Sequence, residues 1–572
     1  MDGKHDRWAG RLGVILAVAG SAIGFGNFLR FPGLAAQYGG GAFMIAYFCA
    51  FLLLGVPLSW LEWSIGRRGG ALGGHSCSGI FYLLTRSRVW KYLGVLGILA
   101  PLGVAFYYVY LESWTLGYAY HCLVGDLNLG SSDAFGQFFN TFTGAAEDGA
   151  AFRLRESGVL LCFIISLGLN LYLLYRGVSR GIEWFCKVSM PVLLVTALVI
   201  LLRVLTLGTP DATHPERSVE HGLGYMWNPD KTELQVRSEE GSWQTVEMLP
   251  PDAGEAEQTA LRQRIAAEYP GREMRVRHVS LLQGLMNPDL WFYAAGQIFF
   301  SLSVGFGTVL CYASYVRRRE NIALSSLTAN AANECVEVGV AGMMIVPAAV
   351  SFLGVAAAAG AGTFGLGFNV LPQVFAAMPG GQFIGALFFI LLFLAAVTSS
   401  LSQVQPSIAF MEEMWGISRR QSVVVITLIV LVGCSLVIWF TEGLLALDVL
   451  DFWMGQVSLY TLSILYIILC RFVLGTDRCM AELNRGEGFR LPPGTRFVLQ
   501  WVTPGIMLLI TVAWLYKNIF EETCPQIRAL LEGRPGAVIP VCWVLCTALV
   551  FLMMAHTSKR FHATGKRRLS ER

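Results

Sequence analysis

Two stretches of this chain carry glycines and small polar residues where a bilayer-spanning helix would carry Leu or Val: Gly20-Ser21-Ala22-Ile23-Gly24-Phe25-Gly26-Asn27 and Phe300-Ser301-Leu302-Ser303-Val304-Gly305-Phe306-Gly307. Each lies inside an apolar run long enough to cross a membrane. Unpaired backbone groups in hydrocarbon cost several kcal/mol each, so irregular backbone at that depth is tolerated only where it lines a cavity or is buried in protein. The two interruptions therefore predict a binding site built from freed backbone groups and small hydroxyls. Ionisable residues in or at the ends of other apolar runs carry further information: Arg30, Glu62, Glu112, Glu334, Glu337, Glu412, Glu413 and Asp451. Those near span ends, Glu412 among them, can snorkel to the interface. Glu334 and Glu337, one and four positions after Asn333 on a helical run, are expected in the protein interior.

The elements that position these residues follow from composition. Of 572 residues 55% are hydrophobic and only 14% charged, with 36 Phe and 15 Trp, too apolar for one soluble core. The chain reads as a polytopic membrane protein. Runs of roughly 20 apolar residues give twelve spans, at about 11–37, 41–66, 89–122, 158–175, 182–206, 288–315, 324–352, 383–411, 421–440, 447–473, 498–516 and 537–556. The loops sort by charge. Lys4, Arg7 and Arg11, then Arg67, Arg68, Arg86, Arg88 and Lys91, then Arg176 and Arg180, Arg317 to Arg319, Arg419 and Arg420, Arg485 and Arg490, and the tail from Lys559 to Arg572 all fall on one side. The positive-inside rule makes that side cytoplasmic, with both termini inside. The basic start and the small-residue pattern Ala17-Val18-Ala19 have the look of a signal peptide, but the apolar run continues through Phe31 and eleven spans follow, which favours a retained N-terminus.

The thirteen cysteines suggest no metal framework; Cys49, Cys162, Cys311, Cys335, Cys434, Cys470, Cys542 and Cys546 lie within spans, where thiols usually serve as small packing residues. No HExxH, hydrolase or phosphate-binding motif appears, which speaks against an enzyme. One polar stretch of about 55 residues separates Trp227-Asn228-Pro229-Asp230 from Asn287-Pro288-Asp289 on the outer side, longer than most structureless loops. Leu234 and Val236, Val246 and Met248, and Met274 and Val276 alternate as strands do, and Ala253 to Tyr269 reads as a helix. A small α+β ectodomain is predicted over 230–286, with a disordered loop as the alternative.

The chain resembles the neurotransmitter:sodium symporter family, most closely its bacterial amino-acid transporters of the leucine transporter type. The resemblance runs over nearly the whole chain and rests on an ordered set: Trp8-Ala9-Gly10-Arg11-Leu12-Gly13, Gly26-Asn27-Phe28-Leu29-Arg30-Phe31-Pro32, Gly39-Gly40-Gly41-Ala42-Phe43, Tyr107-Tyr108, Glu112-Ser113-Trp114, Gly296-Gln297-Ile298-Phe299-Phe300, Ala313-Ser314-Tyr315-Val316, Thr398-Ser399-Ser400 and Asp451-Phe452-Trp453. It implies an all-α integral membrane protein of twelve transmembrane helices with a 5+5 inverted repeat and discontinuous helices 1 and 6, to which the insertion adds a small α+β unit. The corresponding division is 1–229 for helices 1 to 5, 230–286 for the insertion, 287–474 for helices 6 to 10, and 475–572 for helices 11 and 12 and the tail.

Sodium is a hard cation that prefers oxygen ligands. Carried over residue by residue, the resemblance implies one sodium held by the Ala22 carbonyl, the side chains of Asn27 and Asn333, and Ser301, with the substrate carboxylate completing the shell. A second would lie between the carbonyls of Gly20, Ile23 and Ala395 and the hydroxyls of Thr398 and Ser399. Ser and Thr in membrane helices also bond back to their own helix, and Gly20 with Gly24 forms a GxxxG packing pattern. For the substrate, the half-helix N-terminus at Phe25 and Gly26 would meet a carboxylate, assisted by Tyr108. Ala22, Phe300, Ser301 and Ser303 would receive the ammonium. Amine transporters of the family carry an acid where Gly24 stands, so amino acids are implied. Val104, Tyr108, Phe300, Ser303, Phe306, Ser399 and Gln403 would line a largely apolar side-chain pocket, favouring neutral substrates. Gln403 replaces an aliphatic residue; its amide either bonds a substrate indole, hydroxyl or amide, or a neighbouring backbone group.

Arg30 and Asp451 are implied as the outer gate, with Tyr108 and Phe300 closing beneath. At the inner gate the usual Arg is His5, beside Lys4 and Arg7, facing Glu413, Tyr315 and Trp8; a histidine there would make inner opening pH-sensitive. Glu337 stands where chloride-binding animal members have Ser, implying chloride independence, and its protonation on the return step would carry a proton outward. The expected activity is sodium-coupled symport of a neutral, hydrophobic or aromatic L-amino acid in a bacterial inner membrane, using two sodium ions. A sodium-dependent amino-acid sensor is the alternative. Oligomeric state, a homodimer included, stays open.

Overall fold

The computed structural model describes residues 11–153, 158–210, 214, 217–238, 243–249, 255–486, 488–516 and 524–558. Long apolar runs satisfy their backbone groups internally only as helices, and ten helices among the described residues are long and apolar enough to cross a membrane. An eleventh span is the bent pair α1 (Gly13–Ala22) and α2 (Gly26–Gln37), which meet at 44°. In chain order follow α3 (Gly41–Ala71), α4 (Arg88–Val124), α5 (Val159–Arg176) and α6 (Val178–Leu205). After α7 (Val219–Trp227) and the insertion come α9 (Pro288–Ser301) and α10 (Thr308–Ser314). The remaining spans are α11 (Ile322–Gly360), α12 (Gly381–Met414), α13 (Arg419–Trp439), α14 (Glu442–Leu474), α15 (Gly494–Leu515) and α16 (Pro535–Thr557).

Helices α4 and α12 pack along their length, and α1 is enclosed by α6, α11 and α12. The outer helices turn apolar side chains outward. On α6, Val188, Val192, Val195, Val199 and Leu202 recur every three or four residues and are all exposed, a stripe that only hydrocarbon would cover without cost.

Both interruptions occur where the glycines and small polar residues lie. Helix α1 ends at Ala22, and Ile23 and Gly24 form a bend. Between α9 and α10 the chain makes turns through 302–307, with Ser303, Gly305 and Gly307 at φ of 52°, 81° and 76°. Glycine is required twice over at 305 and 307. Positive φ strains other residues, and a Cβ would run into the Leu459 carbonyl or the Gly97 carbonyl respectively.

The insertion contains β1 (Lys231–Arg237), β2 (Trp243–Leu249), α8 (Glu255–Glu268) and β3 (Met274–Val279). The strands form an antiparallel sheet in the order β2-β1-β3. The alternating Leu234, Val236 and Val246 pack with Leu261 and Ile265 of α8 into a separate small core.

Candidate functional site

The two breaks face one another across α11 and α12. Asn27, at the start of α2, donates through Nδ2 to Asn333 Oδ1 at 2.9 Å and to Glu337 Oε2 at 3.0 Å, while its Oδ1 accepts the Gly24 amide at 2.8 Å. Asn333 Nδ2 donates to Ser301 Oγ at 2.6 Å and to Glu337 Oε2 at 3.2 Å. Gln297 Nε2 lies 2.6 Å from Glu337 Oε1 and 3.0 Å from the Gly26 carbonyl, and the Ser301 hydroxyl donates to Glu337. Asn27, Ser301, Asn333 and Glu337, far apart in sequence, are thus one buried cluster. Three side-chain amides and the Ser301 hydroxyl thus surround the Glu337 carboxyl as donors, an arrangement that stabilises negative charge in a low-dielectric interior.

A second convergence lies one turn back on α1. Ser399 Oγ lies 3.2 Å from the Ser21 carbonyl and 3.4 Å from that of Gly20; Ser303 Oγ lies 3.2 Å from the same Ser21 carbonyl. Thr398 Oγ1 donates to the carbonyls of Ala395 at 2.9 Å and Leu394 at 3.3 Å, on its own helix. Gly20 approaches α12 closely, and its Cβ would stand 3.4 Å from that of Thr398. Ala22 and Ile23 are buried at the break.

Between these clusters the chain packs closely at Gly24. A Cβ there would lie 2.6 Å from Ser399 Oγ and 2.7 Å from Tyr108 Oη. The Phe25 amide donates to Tyr108 Oη at 3.3 Å, and the two rings are 4.9 Å apart. Phe300 and Phe306 lie 6.2 Å apart, and Val104 is fully buried on α4. Gly26 approaches Phe300, whose ring a Cβ would meet at 2.9 Å. Gln403, one turn beyond Ser399 on α12, is 9% exposed, and its Oε1 is buried and accepts no hydrogen bond from the described residues.

Above Phe25, Gly26, Tyr108 and Phe300 opens a cavity of about 300 Å³ that also contains Arg30 and Asp451. These two do not form a direct ion pair. The Arg30 guanidinium lies 4.7 Å from the Phe300 ring centroid, while Asp451 accepts from Tyr107 Oη at 2.7 Å and Gln456 Nε2 at 3.3 Å. At the other end, Glu413 accepts the amides of His75 at 2.8 Å and Ser76 at 3.0 Å, and the Ser76 hydroxyl as well. Tyr315 stacks on His75 with centroids 4.4 Å apart. His5 and Trp8 lie outside the described residues.

Sequence reasoning missed four participants. Glu62 on α3 accepts the Gly307 amide at 3.2 Å and so caps the second break. Gln297 ties Gly26 to Glu337, Ser21 supplies the shared carbonyl, and His75 stacks on Tyr315. Glu62 carried a signal, as a carboxylate inside an apolar run, and so did Ser21, as a small polar residue of the first break.

The profile of the sodium:neurotransmitter symporter family matches residues 5–146 and 274–554. The interval between holds α5, α6, α7, β1, β2 and α8. An uncharacterised sodium-dependent transporter of Methanocaldococcus jannaschii is 25% identical over 558 residues, covering 96% of this chain and 97% of that one. An uncharacterised sodium-dependent transporter of Haemophilus influenzae is 27% identical over 429 residues, 74% of this chain and 77% of its own. The sodium-dependent dopamine transporter of Caenorhabditis elegans is 24% identical, with 94% and 86% covered. The crystal structure of MhsT in complex with L-phenylalanine aligns with a TM-score of 0.68 at 25% identity, over 89% of this chain and 99% of MhsT. A family match over most of the chain, with a bent first span and an interrupted α9–α10 facing it, leads to one conclusion: this chain belongs to the sodium:neurotransmitter symporter family.

Proposed function

We propose that the protein carries a neutral L-amino acid across the membrane together with sodium, by alternating access and without chloride. The observation that carries this reading is the close approach of Gly24 to Tyr108 Oη and Ser399 Oγ beside the first amides of α2, with glycine rather than an acid at that position. A positive half-helix end without a protein anion suits a substrate that brings its own carboxylate. The alignment with MhsT, solved with L-phenylalanine, supports the same class.

Asn27, Ser301 and Asn333, with the Ala22 carbonyl, would take one sodium beside that carboxylate. Gly20, Ile23, Ala395, Thr398 and Ser399 would take a second, tying α1 to α12. Substrate and sodium sharing one shell tighten each other by the same factor. Phe25, Gly26 and Tyr108 would hold the carboxylate; Ala22, Phe300, Ser301 and Ser303 the ammonium; and Val104, Phe306, Ser399 and Gln403 the side chain. The open Gln403 oxygen favours substrates with an indole N–H, hydroxyl or amide. Glu337 brings a negative charge covalently, where an anion would otherwise be required. Arg30 and Asp451, lining the cavity above, would close the outer side, and Tyr315 with Glu413 the inner one. Counting α1–α2 and α9–α10 as one span each gives twelve, with termini on the basic side.

Uptake of radiolabelled leucine, tryptophan, glutamine and lysine into proteoliposomes tests this, with sodium or potassium outside and chloride replaced by gluconate in parallel. Sodium-dependent accumulation of the neutral substrates, equal in gluconate, is expected. Sodium-dependent binding without accumulation would favour a sensor, and chloride-stimulated uptake would contradict the role given to Glu337.

A further inference from the structure

The inserted sheet has two unlike faces. Alternation turns Leu234 and Val236 toward α8, and so turns Lys231, Glu233 and Gln235 to the opposite side. The antiparallel register sets Arg277 of β3 beside Glu233, and Thr245 of β2 beside Gln235. This polar face does not lie flush on the helices. Beneath it is a cavity of about 860 Å³, floored by Tyr38 and Gly39, by Ala42 and Leu290, and by Val355 and Ala356 just past the break of α11 at Gly354.

Its charged groups are held in place. Glu233 Oε2 accepts from Gln235 Nε2 at 2.9 Å and Thr245 Oγ1 at 3.0 Å. Lys231 is 5% exposed; its Nζ donates to the Tyr225 carbonyl at 2.8 Å and lies 3.7 Å from the Tyr225 ring centroid. An ammonium has three donors, so the carbonyl leaves it able to serve an incoming acceptor. Arg277 lines the same cavity and is exposed. A fixed carboxylate opposes a simple anion and two cations oppose a simple cation, while Ala42, Leu290 and Val355 give part of the floor an aliphatic surface. A ligand carrying both charges and an apolar side chain satisfies every wall.

We propose that the cavity between the inserted sheet and the outer ends of α2, α3 and α11 is a second binding site for a zwitterionic amino acid, separate from the site at Gly24. The ligand carboxylate meets Lys231 and Arg277, its ammonium meets Glu233, and its side chain rests on Ala42, Leu290 and Val355. Gln37 lines both this cavity and the one holding Arg30 and Asp451. Occupancy therefore bears on α2 and α11, the elements that carry Asn27 and Glu337, and couples to the inner site reciprocally.

Equilibrium binding of radiolabelled L-leucine to the purified full chain tests this, with sodium replaced by N-methylglucamine to silence the sodium-coupled site. The assay is run at pH 6.5, because burial pushes the Lys231 ammonium down to about 7. Saturable, sodium-independent binding is expected, weakened by about tenfold or more in Arg277→Ala and in Glu233→Gln, as loss of a charge-assisted contact implies. Leucine methyl ester, lacking the carboxylate, and 4-methylpentanoate, lacking the ammonium, should compete poorly. Neither side chain belongs to the sodium-coupled site, so sodium-dependent uptake by the two variants should persist and verify the fold. Absent sodium-independent binding, binding indifferent to both variants, or equal competition by the ester overturns the proposal. Retained sodium-independent binding with no sodium-dependent component would leave this site standing and overturn the transport reading instead.

Discussion

Glu337 collects donors from Asn27, Gln297, Ser301 and Asn333, and under the proposed function its charge takes the place of chloride. Glu337→Ser should reduce uptake in gluconate and recover it as chloride is added, whereas wild-type uptake should not respond to chloride. Gly24 has no room for a side chain beside Ser399 and Tyr108. Gly24→Ala should therefore cut sodium-dependent uptake by about tenfold or more, since a Cβ inside ordinary contact distance must displace a binding group, while size-exclusion behaviour stays normal. Gln403 has a buried oxygen without a donor among the described residues. One neutral hydrogen bond contributes about 0.5–1.5 kcal/mol, so Gln403→Ile should move the preference between tryptophan and leucine toward leucine by roughly two- to tenfold. Competition uptake measures that shift, and an unchanged ratio would mean that the amide does not meet substrate.

At the scale of elements, the α9–α10 connection depends on a neighbour. Its chain turns through left-handed Ser303, Gly305 and Gly307, and Glu62 of α3 accepts the Gly307 amide. Glu62→Ala leaves that buried amide without its acceptor, at a cost of about 1–3 kcal/mol, and should lower the thermal midpoint in detergent and weaken substrate binding together. The docking of β1 has a pH signature. Lys231 ordinarily titrates at 10.5, and burial pushes it down to about 7, with Glu233 partly opposing. Between those values the undocked strand holds a proton that the docked strand lacks. The docked insertion therefore gains stability as pH rises from about 7 toward 10.5 and is flat below. Trp243 fluorescence on thermal unfolding should show that slope, and Lys231→Met should flatten it.

Across the whole molecule, the insertion is an appendage that can be removed cleanly. Lys231 and Val279 are paired residues at the two ends of the sheet, so their backbones are only about 5 Å apart, and a short Gly-Ser linker can replace the segment between them. The shortened chain should keep sodium-dependent uptake, because Asn27, Asn333, Glu337 and Ser399 lie in the helices, and should lose sodium-independent binding. Loss of uptake as well would show that the sheet holds α2 and α11 in working positions. The exposed apolar stripe of α6 and the enclosure of α1 by α6, α11 and α12 give the molecule its radial order, with hydrocarbon outside and polar clusters at the centre.

Apolar runs, glycine-rich breaks and strand alternation are local properties, so they were legible along the chain. Spans 322–360 and 381–414 contain those read at about 324–352 and 383–411, and the strands contain the alternating pairs read at Leu234, Val246 and Met274. The interior setting of Glu334 and Glu337 was legible too, because a charge in an apolar run must be buried with partners. Pairing across the fold was not. Nothing in the spacing shows that Glu62 meets Gly307, that Gln297 bridges Gly26 and Glu337, that Tyr107 and Gln456 rather than Arg30 bond Asp451, or that Glu413 holds His75 and Ser76. The sequence by itself determined a helical membrane protein with two interrupted spans, since hydrocarbon permits few backbone solutions. Only the tertiary structure decided which donor meets which acceptor and where the polar sheet face leaves a cavity, because both depend on distances between residues that chain order does not constrain.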